Sequence, residues 1–131
     1  MMIKKRSLIG MNCLLSLLLF ACDESARIMK DLDGKWEAIE LSEEGQELPL
    51  DSAAVGFQFN VESKRYQFNS TLRYQEAGSF YVQLKYLVTK DTIQKDGQEK
   101  NVEIVSINAD TLVMKMKEGK KDRLLTLISI D

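Results

Sequence analysis

Apolar and polar residues alternate through most of the chain between residues 55 and 117. Clear runs are Val55–Val61, Phe80–Val88 and Leu112–Met116, in which every second side chain is apolar. Successive side chains leave a β-strand on opposite faces, so this alternation is typical of strands with one buried face. The pattern therefore predicts a folded part built mainly from strands.

Turn residues divide the alternating runs into about eight strands. Asp96-Gly97 is the strongest hairpin signal, because glycine accepts the positive φ of a tight turn. Gln75–Gly78 is expected to be another turn, and the polar stretch Ser42–Ala54 a long loop. Ala26–Leu32 is expected to form one or two helical turns. The predicted strands cover residues 35–41, 55–61, 65–74, 79–88, 89–95, 99–107, 111–117 and 122–130.

Consecutive antiparallel hairpins leave two sheet edges, and closure into a barrel removes both of them. We therefore predict an all-β fold, a small antiparallel up-and-down β-barrel of about eight strands. A barrel of eight strands has room inside for side chains or for one small ligand. An exposed last strand could instead add to the sheet of another chain.

The first 21 residues have the pattern of a signal peptide. Lys4, Lys5 and Arg6 form a positive segment, and Leu8–Phe20 follows as 13 residues without charge. This apolar run is shorter than the roughly 20 residues that cross a bilayer as a helix, but it suits the apolar region of a signal peptide. A buried core helix is the alternative interpretation, and the basic segment before the run argues against it.

Leu19-Phe20-Ala21-Cys22 resembles the lipobox of bacterial lipoproteins. The resemblance implies cleavage between Ala21 and Cys22 and acylation of Cys22, with Cys13 discarded in the signal peptide. A triacylated cysteine would anchor the chain stably, because more than one acyl chain is then buried in the membrane. The chain would be a lipid-anchored protein of the cell envelope. The acidic residues after the cysteine do not determine which membrane, or which leaflet of it, carries the anchor; we favour the outer membrane.

These features divide the chain into a cleaved signal peptide (1–21), a lipidated cysteine with a polar tether (22–31) and a barrel domain (32–131). Loss of Lys4, Lys5 and Arg6 from the 18 basic residues leaves 15 against 20 acidic ones, a net charge near −5. Such a charge argues against nucleic acid as a partner, which would need a basic surface.

Gly34-Lys35-Trp36 resembles the Gly-x-Trp motif that opens the first strand of lipocalin-like domains. The resemblance extends over most of residues 32–130 and is closest to the small lipocalin-like lipoproteins of bacteria. It implies that Gly34 permits a tight entry into the strand and that Trp36 closes one end of the barrel. It also implies a cation–π contact from a late arginine, for which Arg123 is the candidate.

The sequence offers no sign of catalysis. The chain has no histidine, which is the side chain that most often serves as an acid–base group or a zinc ligand. Acidic residues occur at Asp31 and Asp33 and in the 42–54 loop, but their spacing is not that of a calcium loop. We therefore expect a protein that is not an enzyme and has no metal or cofactor.

Six aromatic residues could line a ligand cavity, or they could fill the core. Met114 and Met116 are interpreted as core residues that fill gaps. Two functions stay open: a non-enzymatic binder of a small apolar or amphipathic molecule, and an interaction protein with a filled barrel that binds another envelope protein. The six residues are Phe57, Phe59, Tyr66, Phe68, Phe80 and Tyr81.

Overall fold

The computed structural model describes residues 24–50, 55–70, 75–93 and 97–131. The predicted signal peptide, the lipobox and Cys22 lie outside these residues. Helix α1 covers residues 24–32. The strands are β1 (Gly34–Glu43), β2 (Gln46–Leu48), β3 (Gly56–Asn60), β4 (Arg65–Asn69), β5 (Gln75–Gln83), β6 (Tyr86–Asp91), β7 (Gln98–Ile107), β8 (Thr111–Glu118) and β9 (Lys121–Ser129).

The strands form one closed antiparallel barrel. From β3 to β9 each strand pairs with the next along the chain, β1 pairs with β3, and pairing of β1 with β9 closes the circle. Strand β2 is an extra strand beside the second half of β1. The prediction of a small up-and-down barrel of eight strands is confirmed. The last strand is paired on both sides, by β8 and β1, so it offers no free edge for another chain.

Several predicted strand boundaries were wrong. The expected strand 79–88 is interrupted by a two-residue turn at Leu84 and Lys85, and the expected turn at 75–78 belongs to β5. The exposed apolar residues Leu84 and Tyr86 continue the apolar–polar alternation of β5 through the turn, so the pattern hides it. Leu84 also has a φ of +56°, a conformation that glycine or asparagine usually marks. The expected 42–54 loop contains the short strand β2.

Helix α1 closes one end of the barrel. Its residues Ile28 and Leu32 are buried in the barrel core, and Ser25 Oγ donates a hydrogen bond to Leu84 O in the β5–β6 turn (3.4 Å). Residues 24–31 are therefore not the polar tether that we expected, and the helix is longer than one or two turns over 26–32. The amphipathic spacing of Ile28 and Leu32, four residues apart, places both on the side that faces the barrel.

Trp36 lies directly above α1. Its side chain is 2% exposed, and its Nε1 donates a hydrogen bond to Leu32 O (2.8 Å). Gly34, which begins β1, has a φ of +116°, a value that residues other than glycine rarely adopt. The chain can thus turn sharply from α1 into β1 and point Trp36 into the barrel.

Two β-bulges keep the inward face of the wall apolar. The register shifts between Ala38 and Glu40 in β1 and between Ile104 and Ser106 in β7. The extra residue in each strand restores the inward direction of the side chains that follow. The half of the barrel next to α1, which we call the closed half, is filled by apolar side chains. The most deeply buried side chains of this core are Leu32, Phe59, Leu87, Leu112, Met114 and Leu127.

Candidate functional site

The barrel interior becomes polar towards the end that lies opposite α1, which we call the mouth. Among the described residues the buried polar side chains are Glu76, Thr89 and Asp91, and all three lie on β5 and β6. Tyr66 of β4 and Lys100 of β7 lie beside them. We call these five residues the mouth cluster. They form the candidate functional site, because buried polar groups are rare unless they are paired or used.

The strand register brings the mouth cluster together. Tyr66 is paired with Gly78, and Gly78 is paired with Asp91. Thr89 is paired with Lys100 on the other side of β6. Gly78 separates Tyr66 from Asp91 with no side chain of its own. A Cβ added at Gly78 would collide with the carbonyl oxygen of Lys90, so this position needs glycine for the close approach of β5 and β6.

A short hydrogen-bonded chain runs through the cluster. Tyr66 Oη donates to Glu76 Oε1 (2.8 Å), and Lys100 Nζ lies 3.4 Å from Glu76 Oε2. Burial raises the pKa of Tyr66 above its ordinary value, and the hydrogen bond to Glu76 raises it further. The Tyr66 hydroxyl therefore keeps its proton and remains a donor at any physiological pH. The side chain of Glu76 is 6% exposed, whereas that of Lys100 is 50% exposed. The Lys100 ammonium group therefore lies between the buried Glu76 carboxylate and solvent.

A second charged group lies at the rim of the mouth. The carboxylate of Glu43, at the end of β1, accepts a hydrogen bond from Arg123 Nε (2.6 Å) and forms an ion pair with Lys121 Nζ (3.3 Å). The expected contact between Arg123 and Trp36 was wrong. Glu43 is paired with Arg123 and Trp36 with Ser129, so Arg123 lies seven residues along β1 from Trp36, at the opposite end of the barrel.

Five of the six predicted aromatic residues face the interior. Phe80, Phe59, Phe57 and Phe68 form a continuous series, with ring centroids 5.2, 5.3 and 4.6 Å apart. The series leads from the filled core to the half-buried Phe57 and Phe68. The exception is Tyr81, which is 44% exposed. Tyr81 follows the inward Phe80, so the alternation of the strand places it on the outer surface, and the prediction that it lines a cavity was wrong.

The described residues form several open grooves with volumes of about 360–410 Å³. One of them, of about 380 Å³, lies along the wall from β6 to β9, where its lining includes Lys100 and Met116. Another lies beside β2 and is lined by Ile39 and residues 47–50. No group of His, Cys, Asp or Glu in the described part of the chain is arranged to hold a metal ion. Within the same residues no helix is long and apolar enough to span a membrane.

Sequence reasoning found Tyr66 but missed its four polar neighbours. Glu76 was placed in a turn, and Thr89 and Asp91 were placed in a strand that began three residues too late. The one available signal was the order Leu87, Thr89, Asp91, which alternates correctly once the turn is set at Leu84. No protein-family model matches the chain, and no curated protein matches it either.

Proposed function

We propose that this protein is a lipid-anchored, non-enzymatic binding protein whose barrel mouth takes a small amphipathic molecule. The observation that carries the proposal is the mouth cluster. A buried carboxylate joined to a tyrosine and to a lysine occupies a position where an apolar side chain would fill the core equally well. Replacement of buried ion pairs by apolar residues is often neutral or stabilising, so stability alone gives little reason for the cluster.

The two sides of the mouth suit the two parts of an amphipathic ligand. Tyr66, Glu76 and Lys100 offer hydrogen-bond donors and acceptors on one side. Phe57 and Phe68 offer half-buried aromatic rings, against which an apolar group can pack. The filled closed half supports a shallow site at the mouth rather than a deep cavity. The size of the ligand is then that of a headgroup with a short apolar part.

Native mass spectrometry of the protein purified from envelope extract in mild detergent tests this proposal. We expect a small molecule to remain bound to the wild type, and its occupancy to fall about tenfold in Lys100→Met, since a charged hydrogen bond is lost. Lys90→Met is the matched control, because Lys90 is an exposed lysine on β6 outside the cluster. Melting curves must show that both variants are folded.

Absence of any bound molecule from repeated wild-type preparations would contradict the proposal. Equal occupancy in folded Lys100→Met and wild-type protein would remove the mouth cluster from the binding site.

The anchor is proposed on the sequence of residues 19–22 alone, and its test is independent of the ligand. Cys22→Ala is expected to abolish incorporation of a radiolabelled fatty acid in growing cells, because the acylated thiol is then absent. Cys13→Ala is the matched control and should be labelled as strongly as the wild type. Undiminished labelling of Cys22→Ala would refute the lipobox assignment.

The second candidate function is an interaction protein that binds another envelope protein. The filled closed half favours it, because a barrel whose core is complete does not need a ligand for stability. This candidate predicts that the mouth is empty in native mass spectra while a partner protein is recovered by cross-linking.

A further inference from the structure

The tip of the β5–β6 turn carries an exposed leucine that the fold itself does not require. Leu84 is 52% exposed and has a φ of +56°. Glycine usually occupies this position of a two-residue hairpin turn, because a Cβ is strained at positive φ. Asparagine tolerates the conformation better than leucine does. Neither turn geometry nor burial in the core therefore accounts for a leucine at this tip.

Two exposed tyrosines continue the apolar surface from the turn onto the outer wall. Tyr86 is 40% exposed and Tyr81 is 44% exposed. Tyr86 is paired with Gln83 and Tyr81 with Val88, so the two tyrosines are diagonal neighbours on the outer face of the hairpin. Both lie within about 10 Å of the turn along their strands. We call Leu84, Tyr86 and Tyr81 the base patch.

The base patch lies beside the start of α1, where the proposed anchor joins the domain. Ser25 Oγ donates a hydrogen bond to Leu84 O (3.4 Å). Cys22 precedes Ser25 by three residues, so the Cα atoms of these two residues are at most about 11 Å apart. Acyl chains on Cys22 would therefore enter the bilayer close to the β5–β6 turn, and the anchor would bring the base patch to the membrane surface.

The order of side chains in the base patch suits a membrane–water interface. Leu84 at the tip is wholly apolar, and its transfer from water into the acyl region is favourable. Tyr81 and Tyr86 lie further up the wall, and each combines an apolar ring with a polar hydroxyl. Tyrosine is enriched at the level of lipid headgroups for this reason.

Charge beside the turn neither drives this contact nor prevents it. Lys85, the second residue of the turn, has its Nζ 3.2 Å from Glu103 Oε1 and 5.9 Å from the ring centroid of Tyr86. Glu103 and, more weakly, Glu24 raise the pKa of Lys85, so charges of both signs lie here. A lysine stem can also lie along apolar surface with its ammonium group among the headgroups. The contact should therefore form on lipid without net charge.

We infer that the base patch contacts the surface of the bilayer that holds the anchor, with Leu84 among the acyl chains and the two tyrosines among the headgroups. The inference rests on the lipid anchor proposed above and adds a second point of attachment to it. Because the patch lies on the β5–β6 side of the closed end, this contact would set the direction in which the barrel leans. It is independent of the ligand proposed for the mouth.

Hydroxyl-radical footprinting of the mature lipidated protein, reconstituted into phosphatidylcholine vesicles and separated by flotation, tests the inference. Mass spectrometry reads the oxidation of each side chain. Ile93, which follows β6 at the mouth, is the internal control, because it is an aliphatic residue of similar exposure, 57% against 52% for Leu84. We expect oxidation of Leu84 to be several-fold lower than that of Ile93 in the floated vesicles.

Leu84→Asn separates membrane contact from a structural role. Asparagine tolerates positive φ, so the variant should melt at or above the temperature of the wild type. It should also show stronger oxidation of Tyr81 and Tyr86 in vesicles, because the apolar tip no longer holds them at the bilayer. Ile93→Asn makes the same kind of change at the opposite end of the barrel and should leave the oxidation of both tyrosines unchanged.

Four outcomes would overturn the inference. Equal oxidation of Leu84 and Ile93 in floated protein would do so while the anchor stands, since flotation requires the anchor. Unchanged oxidation of both tyrosines in folded Leu84→Asn would also do so. Protection of Leu84 in native membranes but not in pure lipid vesicles would show that another protein covers the patch. Wild-type protein that does not float with vesicles would overturn the inference and the anchor together.

Discussion

At the scale of single residues, Glu43 and Arg123 show how one ion pair depends on register. Arg123 was predicted to contact Trp36, and the structure places it elsewhere. Strand pairing decides the contact, because it brings Arg123 to the far end of β1, where its Nε lies 2.6 Å from Glu43 Oε2. Register depends on turns and bulges all around the barrel, and no local pattern near residue 123 contains that information.

The environment of Glu43 predicts a loss of stability in acid. The guanidinium of Arg123 lowers the pKa of Glu43 below its ordinary value of 4.5, and partial burial opposes this effect. The unfolded chain therefore binds a proton at Glu43 more readily than the folded protein does. The stabilisation from this group is complete above the unfolded pKa and is lost as the pH falls through the folded one.

We expect Glu43→Gln to have a lower free energy of unfolding than the wild type at neutral pH, and the difference to shrink in acid. Urea unfolding at a series of pH values measures this difference in the free energy of unfolding. Glu62→Gln, at an exposed position in the β3–β4 turn, is the control and should follow the wild type. A constant difference between Glu43→Gln and wild type at all pH values would contradict the assignment.

At the scale of elements, the β5–β6 hairpin defines the mouth. Its turn has an exposed leucine at positive φ, and its strands approach closely at Gly78. Sequence alternation predicted that both segments were extended but could not find the reversal between them. Because of this turn, the residues that face the interior have even numbers in β5 and odd numbers in β6. For this reason Thr89 and Asp91 were missed, whereas Phe80 was found.

Gly78→Ala is expected to destabilise the protein by about 1–3 kcal/mol, the range for overpacking at a tight site. The added Cβ would meet the Lys90 carbonyl, with the carbonyl carbon only 2.9 Å away, and the backbone of β6 would have to move. Equilibrium unfolding in urea provides the measurement. Ser79→Ala, one position along β5, is the matched control. Wild-type stability of Gly78→Ala would show that the two strands are not held in close contact.

At the scale of the whole molecule, the architecture was predictable and the polar interior was not. Alternation and the need to remove sheet edges were sufficient to predict a closed barrel of eight strands, and five of the six predicted aromatic positions face its interior from β3, β4 and β5. The mouth cluster depends on which strands lie side by side and on their register. It is a property of three-dimensional closure, to which each strand's own sequence contributes little.

The position of α1 has a consequence for the geometry of attachment. If Cys22 carries lipid as proposed, a single residue separates the acyl chains from a helix that is packed into the base of the barrel. One residue spans under about 4 Å, so the base of the barrel would lie close to the bilayer. The mouth would stand roughly 20–30 Å above the headgroups and face the aqueous compartment. Ligand and partner would then arrive from that compartment rather than from the lipid in which the protein is anchored.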